Sequence, residues 1–196
     1  MENSNNAYKS RMLVAEIMVE PTVARFLMTM KTELPQSFEH SIDVAYLAGE
    51  VAYELGLEYV DDVVRGALLH DIGKLCLPKD LLLSTRELSP YEKNVLREHS
   101  TRGYELVFSD PDLSEIVKDV VLYHHEKQDG SGYPSGKSAK DLKKATKIVT
   151  VCDIYDAMTK TRPYHKPYGA YEALNIMVNE PIDKSILKVL KECPDR

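Results

Sequence analysis

The sequence predicts an all-α fold. Apolar residues recur at helical spacing along almost the whole chain, and helix-start signals precede several of these stretches. No two alternating apolar segments are joined by a hairpin turn, so the sequence does not indicate a strand pair. With 196 residues, of which 43% are hydrophobic, the chain is long enough to bury the core of one helical domain.

The N-terminal stretch, residues 7–33, is amphipathic and is interrupted at Pro21, which predicts two successive helices. It contains Met12, Met18, Met28 and Met30. Flexible methionines either form an adaptable binding surface or pack on the rest of the bundle or on a second copy of the chain. We expect residues 1–34 to be a helical extension and residues 35–196 to be the main domain. The extension is a candidate surface for a homodimer or a signalling partner.

Two helices are predicted next. The segment HSIDVAYLAGEVAYELGL, residues 40–57, fits a helix with one broad apolar face, and Gly56 is expected to end it. The segment DDVVRGALLHDIGK, residues 61–74, predicts a helix that ends near His70 and Asp71.

Helix-start signals mark the middle of the chain. Ser89-Pro90-Tyr91-Glu92 is a capping box with proline at the first helical position, and the helix that it opens is expected to run through His99. Asp110-Pro111 is expected to open the next helix, DPDLSEIVKDVVLYHH, which ends at two adjacent histidines.

Three C-terminal segments complete the helical prediction. The segment KIVTVCDIYDAM, residues 147–158, is apolar on most sides, which is typical of a central buried helix, although its β-branched residues also fit a strand. The segments GAYEALNIM and DKSILKVLKE predict the last two helices.

Composition argues against several functional classes. The formal net charge of −6 argues against nonspecific binding to long nucleic acids. No uninterrupted apolar run approaches the roughly 18 residues of a membrane span, and MENSNNAYKS lacks the layout of a signal peptide. Cys76, Cys152 and Cys193 form neither a disulfide framework nor a zinc-binding spacing. We therefore expect a cytoplasmic protein that does not insert into a membrane.

Residues that can bind metal recur at a regular interval. They are His40, His70, Asp71, His99, His124, His125 and Asp153. The gaps from one helix to the next are 30, 29, 25 and 28 residues. Out along one helix and back along the next takes about 25–30 residues, so the spacing returns each residue to one level of a helical bundle. Each histidine alone is more often a surface or hydrogen-bonded residue, but the joint pattern predicts a metal site in the bundle core.

These motifs resemble the HD-GYP domain, a branch of the HD phosphohydrolase superfamily. The motifs are FEHSIDVAYLA around His40, HDIGK at 70–74, HSTRGYEL at 99–106, HHEKQDGSGYP at 124–134 and DIYDAMTKTRPY at 153–164. HDIGK alone would indicate only the superfamily, and the Gly132-Tyr133-Pro134 turn indicates the branch. The resemblance extends from about Ser37 to about Tyr168.

The resemblance implies an HD-domain helical bundle whose core holds two or three divalent metal ions. The implied ligands are His40, His70, Asp71, His99, His124, His125 and Asp153. Iron or manganese is favoured, and zinc also suits such ligands. The implied reaction opens cyclic di-GMP, a bacterial second messenger, to linear pGpG, with GMP as a further product.

The resemblance also assigns roles to individual side chains. Asp71 is expected to bridge two metal ions and, together with Lys74, to serve catalysis. Lys74, Arg162 and Tyr133 are expected to bind the substrate, the first two through its phosphates.

Three positions depart from the family pattern. Members with three metals carry a glutamate one helical turn before the first histidine, where this chain has Gln36. A neutral amide brings no charge to offset a third ion, so we expect two ions, with Gln36 at the edge of the site as a hydrogen-bonding group. The alternative is that Gln36 is an exposed residue in the first turn of the helix. Gln128 replaces a frequent tryptophan, and His165 replaces a frequent lysine, which puts one phosphate contact in doubt.

Two alternatives remain open. An HD phosphohydrolase that acts on another cyclic or linear nucleotide would carry the same metal ligands. Only substrate profiling separates it from an enzyme that hydrolyses cyclic di-GMP. A weakly catalytic module that docks a signalling partner through the GYP turn would not need to keep seven ligands. Metal analysis together with a turnover assay distinguishes this module from an enzyme.

Overall fold

The computed structural model describes residues 2–160 and 166–193. These residues form an all-α fold, and the only β-type pairing among them is an isolated bridge between Asp129 and Ser138. The helices are α1 (Glu2–Met18), α2 (Pro21–Glu33), α3 (Pro35–Glu54), α4 (Val60–Leu69), a 3₁₀ helix (Ile72–Cys76), α5 (Lys79–Leu82), α6 (Pro90–Arg97), α7 (His99–Val107), α8 (Glu115–Tyr123), α9 (Lys144–Thr159), α10 (Ala170–Met177) and α11 (Lys184–Glu192). None of the described helices is long and apolar enough to cross a bilayer.

The N-terminal helices α1 and α2 pack into the same core as the rest of the bundle. Val14, Ile17 and Leu27 belong to the hydrophobic cluster that also contains the buried residues of α3 and α4. Proline at the first turn of α2 confirms the predicted break at Pro21. The methionines divide between the two predicted roles, since Met30 is fully buried whereas 70% of Met28 is exposed.

Helix α9 is the central element of the bundle. Ile148, Val149, Val151 and Cys152 are all inaccessible to solvent, so consecutive residues are buried on every side of the helix. A helix that is apolar all round is expected to lie in the core. The segment is therefore a helix and not a strand, and it carries Asp153 into the interior.

One predicted helix is divided into two. The capping box at Ser89 and Glu92 is confirmed, with both reciprocal hydrogen bonds present. The prediction that this helix runs through His99 was wrong, because α6 ends at Arg97 with a tightened turn in which the Glu98 amide donates to Val95. His99 consequently stands in the first turn of α7.

The predicted start of the next helix was also wrong. Asp110 accepts the amide of Asp112 in a local turn, a conformation that competes with helix initiation. Ser114 provides the N-cap instead and accepts the amide of Val117, so α8 begins at Glu115.

Two glycines allow helices to approach closely near His70, His99 and His124. A Cβ atom on Gly73 would lie 1.8 Å from the carbonyl oxygen of His99, so only glycine fits where the 3₁₀ helix meets α7. A Cβ atom on Gly66 would lie 2.8–3.0 Å from the side chain of Val120, where α4 packs on α8. These contacts hold the helix ends that carry His70, His99 and His124 next to one another.

We predict that Gly66→Ala lowers the free energy of unfolding by about 1–3 kcal/mol, because the added methyl group overpacks the contact with Val120. The higher helix propensity of alanine alone would raise the free energy of unfolding by about 1 kcal/mol. An increase in stability would therefore contradict the close contact between residue 66 and Val120. Thermal or urea denaturation measures the change. Gly169→Ala is the control, because nothing lies within 4 Å of its Cβ position.

Candidate metal centre

The structure brings together all seven predicted metal ligands. Six of them form two groups of three, and within each group the candidate ligand atoms lie within 4.8 Å of one another. We call the first the mixed triad, made of His40, His70 and Asp153, and the second the histidine triad, made of His99, His124 and His125. Asp71 joins His70 and His124 in a further such group and so links the two triads.

The adjacent histidines reach the same site because α8 ends at Tyr123. Residues one apart on a helix point about 100° away from each other, but His124 and His125 follow the last helical residue. Their ring centroids lie 4.1 Å apart, and His125 lies 4.9 Å from the ring of His99. The helix end therefore supplies two ligands to one triad.

Three of the imidazole rings are oriented by helix carbonyls three residues earlier. The Nδ1 atom of His70 donates to Ala67 at 2.7 Å, and that of His99 donates to Leu96 at 2.7 Å. In the same way, His124 lies 3.0 Å from the carbonyl oxygen of Val121. Burial lowers the pKa of all three histidines, which favours the neutral rings. Each ring therefore presents an unprotonated Nε2 atom to the centre.

The donor set fits metal ions better than it fits an ordinary core. The Nε2 atoms of His99 and His124 lie 3.1 Å apart. Because each Nδ1 atom carries the ring proton and donates it to a carbonyl, each Nε2 atom has a free lone pair. The two lone pairs point at each other and repel unless a cation binds near both. The Nε2 atom of His70 is buried and has no hydrogen-bond partner among the described residues. Buried nitrogens without partners are unfavourable in a protein core but suitable as metal ligands.

Asp71 lies between the two triads with one oxygen directed at each. Its Oδ2 atom is 3.5 Å from the Nε2 atom of His70 and 3.9 Å from that of His40. Its Oδ1 atom is 3.5 Å from the Nε2 atom of His99. Burial alone would raise the pKa of Asp71, but Lys74 and the surrounding histidines hold that pKa well below its ordinary value. An ionised carboxylate in this position can serve both triads.

The sequence reasoning missed Asp156, which orients His40. The Nδ1 atom of His40 donates to Asp156 at 2.6 Å, and its Nε2 atom lies 3.0 Å from Asp153. Burial lowers the pKa of His40, but the hydrogen bonds to Asp153 and Asp156 outweigh that effect and raise the pKa to about 9. The i, i+3 spacing on α9 was the available signal, because it places both carboxylates on one face.

The sequence reasoning also missed Glu126, which holds the loop after the histidines. This glutamate is 1% exposed and accepts the backbone amides of Ser135 at 2.6 Å and Lys137 at 3.0 Å. Gly132 completes the turn, because a Cβ atom there would lie 2.5 Å from backbone atoms of residues 125–127. The loop thereby places the ring of Tyr133 4.8 Å from the ring of His125.

A cavity of about 380 Å³ opens over the mixed triad. Its lining residues are His40, Asp71, Lys74, His125, Asp153, Ile154, Ala157 and Met158. The side chain of Lys74 is 27% exposed and donates to Asp71. The cavity thus combines ligand atoms, a lysine cation and one apolar wall from α9.

Three other predicted positions have different outcomes. Gln36 lies in the first turn of α3, four residues before His40, and its side chain is exposed, which favours the alternative over the predicted hydrogen-bonding role. Arg162 and His165 lie outside the described residues, so their assignments stay predictions.

Comparison with known proteins connects this geometry to a family. The family model for the HD domain matches residues 26–184. A protein of Pseudomonas aeruginosa named cyclic di-GMP phosphodiesterase is 35% identical over 167 residues, which cover 83% of this chain and 40% of that protein. A protein of Vibrio cholerae named 3′3′-cGAMP-specific phosphodiesterase 1 is 32% identical over 178 residues, which cover 88% of this chain and 40% of that protein.

A solved structure shares the fold. It is described as a HDG"Y"P protein from Bdellovibrio bacteriovorus, with a TM-score of 0.65 and 22% sequence identity. The match covers 78% of this chain and 50% of the solved chain. The chain spans 40% of the length of each of the two curated relatives named above.

We predict that Asp156→Asn weakens metal binding about tenfold, because a neutral amide is a poorer acceptor for His40 and leaves the ring less firmly oriented. Metal titration followed by calorimetry measures the affinity. Asp119→Asn is the control, because Asp119 pairs with Lys143 at 2.8 Å and belongs to neither triad. Equal affinities in wild type and Asp156→Asn would contradict an orienting role.

Proposed function

Since the chain belongs to the HD domain family, in its HD-GYP branch, we propose that it is a metal-dependent phosphodiesterase that opens cyclic di-GMP to linear pGpG, with GMP as a further product. The observation that carries the proposal is the convergence of seven candidate ligand side chains, with Asp71 among them, beneath a cavity lined by Lys74. The relatives named as cyclic dinucleotide phosphodiesterases support the choice of substrate class.

Two divalent ions, iron or manganese in preference to zinc, are the proposed cofactors. The mixed triad would hold one ion and the histidine triad the other, with Asp71 shared between them. When bound, such ions lower the pKa of water and offset negative charge on phosphoryl oxygens. Gln36 is neutral and exposed, so it supplies no charge for a third ion.

The chain's own groups would bind and orient the substrate. Lys74 lines the cavity and supplies a positive charge for a phosphate oxygen. Ile154, Ala157 and Met158 form an apolar wall against which a sugar or base can pack. The resemblance adds Arg162 as a second phosphate contact and Tyr133 as a substrate contact beside His125.

The proposed reaction is the hydrolysis of one phosphodiester bond. The oxygen of water forms a new bond to phosphorus, the bond from phosphorus to the ribose 3′-oxygen breaks, and that oxygen gains a proton. Asp71 and Lys74 are the proposed catalytic residues, because both border the cavity in which the phosphate would lie. Their opposite charges suit ligation of cations and binding of an anion, respectively.

A second candidate substrate is another cyclic dinucleotide. A relative that matches 88% of this chain is named as specific for 3′3′-cGAMP, which supports this hybrid of guanine and adenine as the second candidate. A weakly catalytic docking module is the remaining alternative, and it gives no reason for seven converging ligands.

The organisation and surroundings of the chain are further proposals. We divide it into a helical extension, residues 1–34, and a catalytic domain, residues 35–196. The exposed side chains of α1 and α2 and the loop at residues 130–136 are the candidate surfaces for a homodimer or a signalling partner. A cytoplasmic location suits an enzyme that acts on an intracellular messenger.

The first test is turnover by protein purified without oxygen and loaded with ferrous iron or manganese. We expect cyclic di-GMP to be opened to pGpG. Asp71→Ala should remove bound metal and turnover together, because Asp71 serves both triads. Asp71→Asn keeps the side-chain volume and should show the same loss, so that a folding defect in the alanine variant does not obscure the result. A metal-loaded wild type that opens no cyclic dinucleotide would defeat the proposal.

The second test separates substrate binding from metal binding. Lys74→Ala should keep its metal but lose about tenfold to a hundredfold in kcat/KM, the range expected for one charge-assisted phosphate contact of roughly 1.5–3 kcal/mol. Lys93→Ala is the control, because Lys93 pairs with Glu87 at 3.5 Å on the surface and lines neither triad nor cavity. Unchanged kinetics in Lys74→Ala would exclude Lys74 from the substrate site.

A further inference from the structure

A second cavity, of about 240 Å³, shares Lys74 with the cavity over the mixed triad. Its other lining residues are Thr29, Glu33, Leu34, Leu75, Leu77 and Lys79. It is formed by the C-terminal end of α2 together with the 3₁₀ helix and the start of α5. The two cavities therefore border the same lysine.

The walls of the second cavity combine apolar surface with one ion pair. Leu34 and Leu77 are buried and Leu75 is half-buried, so the cavity offers carbon surface to a flat ring. Lys79 donates to Glu33, and their side chains are 60% and 39% exposed. An exposed pair of this kind contributes little to stability, so it is free to exchange its partner for a ligand.

The ion pair is complementary to the Watson–Crick edge of guanine. Guanine presents its O6 acceptor beside the N1–H and N2–H donors. Lys79 can donate to O6, and the carboxylate of Glu33 can accept from N1–H and N2–H. Adenine presents an amino donor where guanine has O6, and it has no N1–H. Adenine can give Glu33 only its N6–H donor and Lys79 only its N1 acceptor, so it makes two of the three hydrogen bonds that guanine makes.

We infer that the second cavity binds a guanine base of the cyclic dinucleotide, and that Glu33 and Lys79 determine the preference for guanine. The inference rests on the proposed function and adds a base-specificity site to it. A cyclic dinucleotide carries two phosphates and two bases on one ring. In the proposed pose, one phosphate lies over the mixed triad and one nucleoside lies on the other side of Lys74, in the second cavity.

The test uses 3′3′-cGAMP, because its two phosphodiester bonds are chemically distinct. Opening one bond gives pApG and opening the other gives pGpA, so the product ratio reports which base occupies the second cavity. Metal-loaded wild type should give one product in clear excess. Glu33→Gln should reduce that excess by roughly five- to tenfold, because a neutral hydrogen bond is about half as strong as a charge-assisted one. Chromatography of the linear products measures the ratio without depending on the fraction of active enzyme.

Glu87→Gln is the matched control. Glu87 also pairs with a lysine on the surface but lines neither cavity, so its product ratio should equal that of wild type. Equal amounts of both products from wild type, or the same excess in Glu33→Gln, would overturn the inference while leaving the phosphodiesterase proposal intact. Absence of turnover with every cyclic dinucleotide would instead defeat the proposed function.

A binding measurement tests the cavity independently of catalysis. In metal-free protein, guanosine 5′-monophosphate should shift the methyl NMR signals of Leu34 and Leu77, and adenosine 5′-monophosphate at the same concentration should shift them much less. The difference should vanish in Glu33→Gln. Equal shifts from both nucleotides, or none from either, would overturn guanine recognition at this cavity.

Discussion

The orientation of the imidazole rings is the constraint on which the rest of the site depends. His70, His99 and His124 each commit Nδ1 to a carbonyl three or four residues earlier, which directs Nε2 away from the backbone. The rings can converge only if the helix ends that bear them meet. Gly73 permits that meeting, because any side chain there would collide with the carbonyl of His99. The nitrogen donors can therefore converge only if the helices pack as closely as Gly73 allows.

This arrangement buries charged and polar side chains in a region where a protein core normally contains apolar side chains. Asp71 and Asp153 are 2% and 7% exposed, and their charges are offset by His40 and by Lys74. The unpartnered Nε2 atom of His70 and the close Nε2 atoms of His99 and His124 are unfavourable without a cation. Bound metal would remove both unfavourable features. The same side chains that destabilise the metal-free chain would therefore increase its affinity for metal ions. The buried faces of α3, α4 and α9 supply the apolar packing that tolerates this arrangement.

The sequence predicted the parts of this molecule that depend on local periodicity and on regular spacing. The return interval of the histidines predicted that seven candidate ligands meet at one level of the bundle, which the structure shows, and the all-round apolarity of residues 147–158 predicted the central helix. The division at Glu98 was missed because the capping box marks where a helix begins and says nothing about where it ends. Glu126 was missed because its partners are amides nine and eleven residues away in a folded loop. The pairing of Glu33 with Lys79 joins residues 46 positions apart, which no local pattern reveals.

The central claim is that the two triads around Asp71 form a metal centre. Anomalous scattering from crystals of protein purified without oxygen and loaded with iron or manganese tests it most directly, with data collected on both sides of the metal absorption edge. The account predicts two peaks, one at the mixed triad and one at the histidine triad, with Asp71 between them. A third well-occupied peak would contradict the role given to Gln36, and the absence of any peak at the triads would contradict the account as a whole.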